Sequence, residues 1–390
     1  MFDHQTHKYL KFVLVVIMAG LISSCSHLPN PLKGRPKPIK PGPLPELSQP
    51  LGISPVWLWQ YKLDRASDLA IPPAIGAKQL YIAQAKGIVT ALDKLSGQCQ
   101  WQVTLNAPIA TGPTLIGDRL YVATKDAQLF ALSTDGKIHW QVPLSTEVLA
   151  PPQGNQQIVL VNATDGQLSA LDAQNGQLMW NYSRILPDLT LRGGSAPILA
   201  QGFVYAGFAN GKLVKLQARS GLLEWEETIT FPRGRSEIHR MVDIIAAPVV
   251  AQDRVYIATY QGQVSAHDTL TGKEIWHRDI SSYFNIASDA KHLYVTDAQS
   301  QLYALDKQSG ATLWKQPRLA NRYITAPQVL ADYILVGDIG GYIHCIDKNN
   351  GQLLSYLALG KKISTPPVVE HNIVYVTTDE GSLSAFKLVK

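Results

Sequence analysis

Tryptophans at positions 101, 140, 180, 225, 276 and 314 close a phrase that recurs along the whole chain. Residues 166–180 read GQLSALDAQNGQLMW, 87–101 read GIVTALDKLSGQCQW, 262–276 read GQVSAHDTLTGKEIW, and 300–314 read SQLYALDKQSGATLW. Worn copies end at Trp140 and Trp225, and a further one, GYIHCIDKNNGQLLS, ends at Ser355 where a Trp would stand. Self-similarity at a period of about forty residues means one supersecondary unit used many times over, and this period falls in the range of propeller blades.

Each unit predicts four strands. Short β-branched and aromatic runs such as DRLYVAT from Asp118 and DRVYIAT from Asp253 alternate with period 2, which is the signature of a strand. A turn follows, then an LxALD strand, a turn ending in Gly, and a strand carrying the Trp. A short AP segment precedes each unit, as in AAPVV from Ala246. In order these are strands A (AP), B (LYVAT), C (LxALD) and D (Trp). No stretch carries an amphipathic helix. The B–C pairs fall at 80–93, 120–133, 158–172, 204–217, 255–268, 293–306, 334–347 and 374–386, which makes eight. The last has no D strand after it, while residues 56–63, VWLWQYKL, carry Trp59 with no A, B or C strand before them. Pairing the two removes the exposed edges of an open radial sheet. The expectation is an all-β, eight-bladed propeller of four-stranded antiparallel blades over residues 55–390, its ring closed by an N-terminal strand.

The repeated residues need only structural explanations. The Asp of the phrase (Asp93, Asp172, Asp268, Asp306, Asp347) precedes a tight turn and suits an Asx cap. The Gly that ends the turn supplies a backbone conformation other residues resist. The Trp offers a large apolar face for the gap between blades and an N–H that needs a partner. Five similar carboxylates spread around a ring point to fold, not to catalysis. The phrase therefore yields no catalytic residue.

The N-terminus reads differently. Lys8 and Lys11 precede the apolar run FVLVVIMAGLI, which is too short to cross a bilayer and ends in small residues. That describes a signal peptide over 1–24. Residues 22–25, ISSC, resemble a bacterial lipobox, in which the Cys, here Cys25, becomes the lipidated first residue. By the same resemblance Ser26 after it suggests sorting to the outer membrane. Residues 25–54 are Pro-rich, without apolar periodicity, and read as an extended tether. The formal charge is +5, and +4 once Lys8, Lys11 and Asp3 leave with residues 1–24. That is too mild to argue for nucleic acid, and no basic stripe with interleaved aromatics occurs. Cys99 and Cys345 fall in the first and seventh blades, too far apart for a disulfide. No His or Cys spacing suggests a metal.

The pattern is interrupted twice. Long D–A connections run over about 182–194, containing LPDLTLRGG, and over 226–245, EETITFPRGRSEIHRMVDII. They flank the blade that holds Trp225, so they project side by side from one face. Loops on a rigid scaffold are where function concentrates. Leu189 and Leu191 beside Arg192 make a candidate anchor for a partner protein.

The repeat resembles the PQQ-type propeller repeat, LYALDxxTGxxxW. Two families share it: quinoprotein dehydrogenases, often with a vicinal Cys pair that is absent here, and the outer-membrane protein assembly factor BamB. The lipobox, the length and the eight blades are similar to the BamB family. That resemblance implies a lipid-anchored, non-enzymatic periplasmic scaffold at the outer membrane, without cofactor. Its implied partners are the POTRA domains of BamA, other members of the BAM complex and nascent outer-membrane proteins. LTLRGGSAP is similar to the family's first loop signature, which carries over to Leu189, Leu191 and Arg192 as partner contacts. EIHRMVDIIAAP is similar to the second, which carries over to Asp243; the family's second Asp is Ile245 here. The alternative is a PQQ-dependent dehydrogenase or a degenerate cofactor-binding propeller.

Overall fold

The computed structural model describes residues 40–47, the backbone of 52–60, and residues 71–389. The expected signal peptide, Cys25 and the tether up to residue 39 lie outside the described residues. Eight four-stranded antiparallel sheets follow one another in chain order. In seven of them the strands are consecutive, as in blade 4: Ile198–Ala200, Phe203–Gly207, Lys212–Gln217 and Leu223–Thr228. In the eighth the order is Gly52–Gln60, Ser382–Val389, Ile373–Thr377, Val368–Glu370. The N-terminal strand thus pairs with the last C strand, with Trp59 opposite Leu383 and Ser54 opposite Lys387 in backbone register. The expected all-β, eight-bladed architecture of four-stranded antiparallel blades is the observed one; the strand expected over 56–63 is seen over 52–60, and residues 61–63 lie outside the described residues.

The B and C strands are buried almost throughout, because each sheet packs on both faces; Leu120, Val122, Leu129 and Leu132 have no exposed surface. Apolar clusters fill the gaps between successive blades. Between the last blade and the first, Tyr375, Leu383 and Ala385 pack with Leu80, Ile82 and Leu92. Lys94 Nζ adds an ion pair to Glu370 at 2.7 Å across the same junction.

In blades 1–6 the Trp of the D strand reaches into the following blade. Its indole N–H donates to the carbonyl of the residue after the phrase's Asp, or after Ser133 or Gln217 where those replace it. The bonds are Trp101 to Thr134 (3.0 Å), Trp140 to Ala173 (3.2 Å), Trp180 to Ala218 (2.8 Å), Trp225 to Thr269 (3.1 Å), Trp276 to Lys307 (3.0 Å) and Trp314 to Lys348 (2.9 Å). The turn glycine of that next blade lies under the ring. A Cβ on Gly221 would sit 2.6 Å from Trp180, and one on Gly310 would sit 2.5 Å from Trp276. These glycines also hold φ near +70°, so the sequence has two independent reasons for Gly there. The Asp makes the expected Asx cap: Asp93 accepts from the N–H groups of Leu95 and Ser96, and Asp306 from those of Gln308 and Ser309. Those bonds, led by the Ser96 and Ser309 N–H groups, hold both carboxyls below the ordinary range.

One recurring device is invisible in the repeat. Every C–D pair in blades 1–7 slips register just before the Trp position, as between Ala91 and Leu92 or between Ala304 and Leu305. A bulge bends the strand and re-aims the following side chain, here the Trp. The residue opposite is the small Ala91, Ala131, Ala170, Ala266 or Ala304 in five blades.

Two faces result from this topology. The A–B and C–D turns lie on one, with the Trp–Gly contacts; the B–C turns and D–A connections lie on the other. Whether the N-terminal strand is what holds the ring shut is open to a direct test. Removing residues 52–60 would leave Ser382–Val389 as an unpaired edge, which is a template for association. The expected outcome is a melting temperature well below that of the full chain, together with self-association in light scattering. An unchanged melt would show that the apolar contacts between the last and first blades suffice.

Candidate partner-binding site

The two long connections, residues 184–197 and 229–248, rise from the D–A face on either side of blade 4. Their bases are tied down by hydrogen bonds rather than by strand pairing. Buried Asn162 of blade 3 donates to the carbonyls of Ser195 (3.0 Å) and Gly207 (3.3 Å). Ser195 Oγ donates to the carbonyl of Ala246 at 2.9 Å, which joins the first loop to the end of the second. The N–H of Ile244 donates to Phe208 at 3.2 Å and that of Tyr260 to Asp243 at 2.9 Å. Gly207, the last residue of the B strand of blade 4, leaves room for the second loop, since a Cβ there would sit 2.1 Å from Ile244 Cγ2.

Asp243 is the second tie. It is buried, and its Oδ2 accepts from the backbone N–H of Leu191, 52 residues away. Its Oδ1 has no hydrogen-bond partner among the described residues. Burial pushes the Asp243 carboxyl up to about 6, against the opposing effect of the Leu191 N–H. Asp243 does not pair with Arg192. That guanidinium stands 74% exposed and, among the described residues, is ion-paired with Glu147 at 3.4 Å, a contact that contributes little at an exposed surface. Leu189 is 41% exposed and Leu191 half-buried. The structure therefore gathers the four candidate residues into one place but gives them two roles. Leu189 and Arg192 face solvent, while Asp243 holds the backbone that presents them.

Ile245, where the family resemblance leads one to expect a second Asp, packs on the first loop instead: a Cβ on Gly193 would lie 3.0 Å from Ile245 Cγ2. A hollow of about 280 Å³ opens between the loops, bordered by Glu147, Leu191, Arg192, Phe208 and Ile245. Three further apolar side chains on these loops were not singled out by the sequence reading. Ile185 is 94%, Phe231 65% and Ile238 62% exposed. The signal was present, since each is a large apolar residue in an otherwise polar, non-periodic stretch. Ile238 sits in a single-turn helix, Glu237–Arg240, whose first turn is capped by Ser236.

The pH response of this site follows from Asp243. The folded state holds its carboxyl above the ordinary value of 3.8, so folding favours the protonated form. That contribution is fully present below about pH 4 and is lost as pH rises through about 6, to the extent of roughly 2–3 kcal/mol. Asp243→Asn removes the titration while keeping an acceptor for the Leu191 N–H. Denaturation of the parent and the variant between pH 4 and 7.5 is expected to give a stability difference that changes over this window and is flat above it. A pH-independent difference would mean that folding leaves the Asp243 carboxyl at its ordinary value.

Comparison with known proteins gives a consistent result. A family model described as "Outer membrane protein assembly factor BamB" matches residues 85–316 and 324–389. The outer membrane protein assembly factor BamB of Legionella pneumophila (strain Paris) is 34% identical over 375 residues, 95% of this chain and 98% of its own length. The crystal structure of BamB from Moraxella catarrhalis superposes with a TM-score of 0.79 at 25% identity, covering 86% of this chain and 100% of that one. The quinohemoprotein alcohol dehydrogenase from Comamonas testosteroni shares the fold alone: TM-score 0.71 at 13% identity, over 87% of this chain and 76% of that one.

Proposed function

This chain belongs to the BamB family of outer membrane protein assembly factors, and we propose that it is a non-enzymatic scaffold lipoprotein of the BAM complex. In this reading Cys25 carries the lipid that holds it at the outer membrane, facing the periplasm. The two long loops bind the periplasmic POTRA domains of BamA, and the complex so formed assists the folding and insertion of nascent outer-membrane proteins. The observation that supports the loop site is the tie between Asp243 and the Leu191 N–H. It fixes one loop against the other and leaves Leu189 and Arg192 facing outward without a strong partner of their own. A rigid base with an exposed aliphatic residue and an uncommitted guanidinium is the composition of a hot spot.

An aliphatic side chain buried at an interface contributes about 1.5–3 kcal/mol and a charge-assisted hydrogen bond a similar amount. Arg192→Ala, or Leu189→Ala with Leu191→Ala, is thus expected to weaken binding to the purified BamA periplasmic region at least about tenfold. The circular dichroism of each variant should match the parent, since these residues lie outside the strands. Asp243→Ala acts through the Leu191 backbone, so its loss combined with the leucine pair should fall short of the sum. Parent affinity in a folded variant lacking all of Leu189, Leu191 and Arg192 would place the contact elsewhere.

The anchor has its own test. Cys25→Ala is expected to abolish palmitate labelling and to move the protein from the membrane to the soluble fraction; continued labelling would rule out Cys25 as the acceptor.

A further inference from the structure

Residues 41–47, within the Pro-rich segment, rest on the propeller. The N–H of Gly42 donates to the carbonyl of Asn321 at 3.0 Å, and its own carbonyl accepts from Arg322 Nη1. Arg318 Nη2 donates to the carbonyl of Glu46 at 2.6 Å. Leu47 packs on the apolar cluster that contains Leu319, Ile324 and Val336. The fit is close: a Cβ on Gly42 would lie 3.2 Å from the carbonyl oxygen of Ala320, and one on Gly340 would lie 3.2 Å from Pro41 Cγ.

The seat beneath this segment is a buried charged network. Arg322 is 2% exposed. Its Nε donates to Asp338 Oδ2 at 2.6 Å, and the same oxygen lies 2.6 Å from His344 Nε2. The guanidinium also lies over the Tyr342 ring, 5.4 Å from its centroid. A guanidinium has five N–H donors and no acceptor, and one withdrawn from water must satisfy them within the protein. Asp338 serves one side of the group. On the other side the acceptor is the backbone carbonyl of Gly42, so the seat is complete only with the segment on it.

We infer that residues 41–47 are a docked strap that fixes where the N-terminal tether leaves the propeller. Its seat is built from the D–A connection between blades 6 and 7 and the B–C turn of blade 7, around residues 338–341. Both lie on the face that carries the two long loops. The tether therefore departs from the loop face, not from the face of the Trp–Gly contacts. On the reading that Cys25 is the lipidated end, docking at Pro41 leaves sixteen residues, 25–40, between anchor and propeller, a greatest span of about 50 Å at the polyproline rise; counted from Cys25 to Gly52 the span would be about 84 Å. The strap holds the loop face toward the surface to which the lipid attaches and shortens the range over which it can turn away.

The test uses the full chain with Cys25 and Cys99 changed to Ser, spin-labelled at Glu46→Cys and at Gln308→Cys, two exposed positions. Pulsed dipolar spectroscopy is expected to give one narrow distance distribution. Arg318→Ala, which removes the Glu46 contact at an exposed side chain, should broaden it at least about twofold with no change in melting temperature. Arg322→Met should broaden it further. If Arg322→Met fails to fold because buried Asp338 loses its guanidinium, Arg318→Ala decides the question. A broad distribution before either change, or an unaltered width after Arg318→Ala, overturns the strap. Neither result bears on the loop site, which is read separately by BamA binding.

Discussion

The ring is assembled by one contact made repeatedly: an indole from one blade lodged in the C–D turn of the next. The contact has direction. The donor is always the earlier blade and the acceptor the later, and the turn supplies both a carbonyl for the N–H and a glycine with no Cβ to block the ring. Large-to-small changes of a buried aromatic cost about 3–5 kcal/mol, so each contact is a substantial fraction of the stability of any one junction. Because the turn must also present its carbonyl outward, its Asp caps the N–H groups inside it. Asp, Gly and Trp in the phrase are therefore parts of one joint, separated in sequence by a blade.

That joint settles which face is free to evolve loops. Lengthening a C–D turn would displace the carbonyl and the glycine that receive the preceding Trp. The D–A connections carry no such duty. Both long insertions, residues 184–197 and 229–248, are D–A connections, and the strap sits on a third. The face left free by the packing is the face on which both the loop site and the strap's seat are built.

This division also explains what the sequence could and could not disclose. The blades were legible because the parts of the joint repeat: Asp172, Gly176 and Trp180 keep the spacing of Asp93, Gly97 and Trp101. The loop site was legible as a break in that repetition, which located Leu189, Leu191, Arg192 and Asp243 without saying how they relate. The Asp243 bond to Leu191 joins a side chain to a main-chain N–H, and no residue pattern marks such a pair. Charge alone would match Arg192 with Asp243. The structure gives the Arg to Glu147 and the Asp to the backbone. The bulge before each Trp was hidden for another reason, since it adds a residue within a strand and leaves the spacing of the phrase unchanged. The seat of residues 41–47 depends on contacts about 280 residues apart, between a segment with no periodicity and an Arg in an unremarkable loop.

The one missing tryptophan follows from the same joint. Blade 7 places Ser355 opposite Cys345, the register at which other blades carry Trp. The next blade takes its D strand from Gly52–Gln60, so no Asp–Gly turn joins its C and D strands, and there is no turn carbonyl or glycine to receive an indole. A Trp at 355 would have a ring and a donor but no socket. The space is filled from the other side. Blade 8 carries Phe386 where other C strands carry Leu92, Leu132, Leu171, Leu216 or Leu305. Phe386 is buried with Leu335, Ile343, Cys345 and Val374, and Leu357 and Leu388 pack against the group. A small residue on the earlier blade and a larger one on the later blade conserve the volume of the junction without an indole hydrogen bond. The seam therefore lacks the indole-to-turn bond that its neighbours use. That follows from building the last blade out of both ends of the sequence: the C–D turn is the one connection that such a blade cannot have.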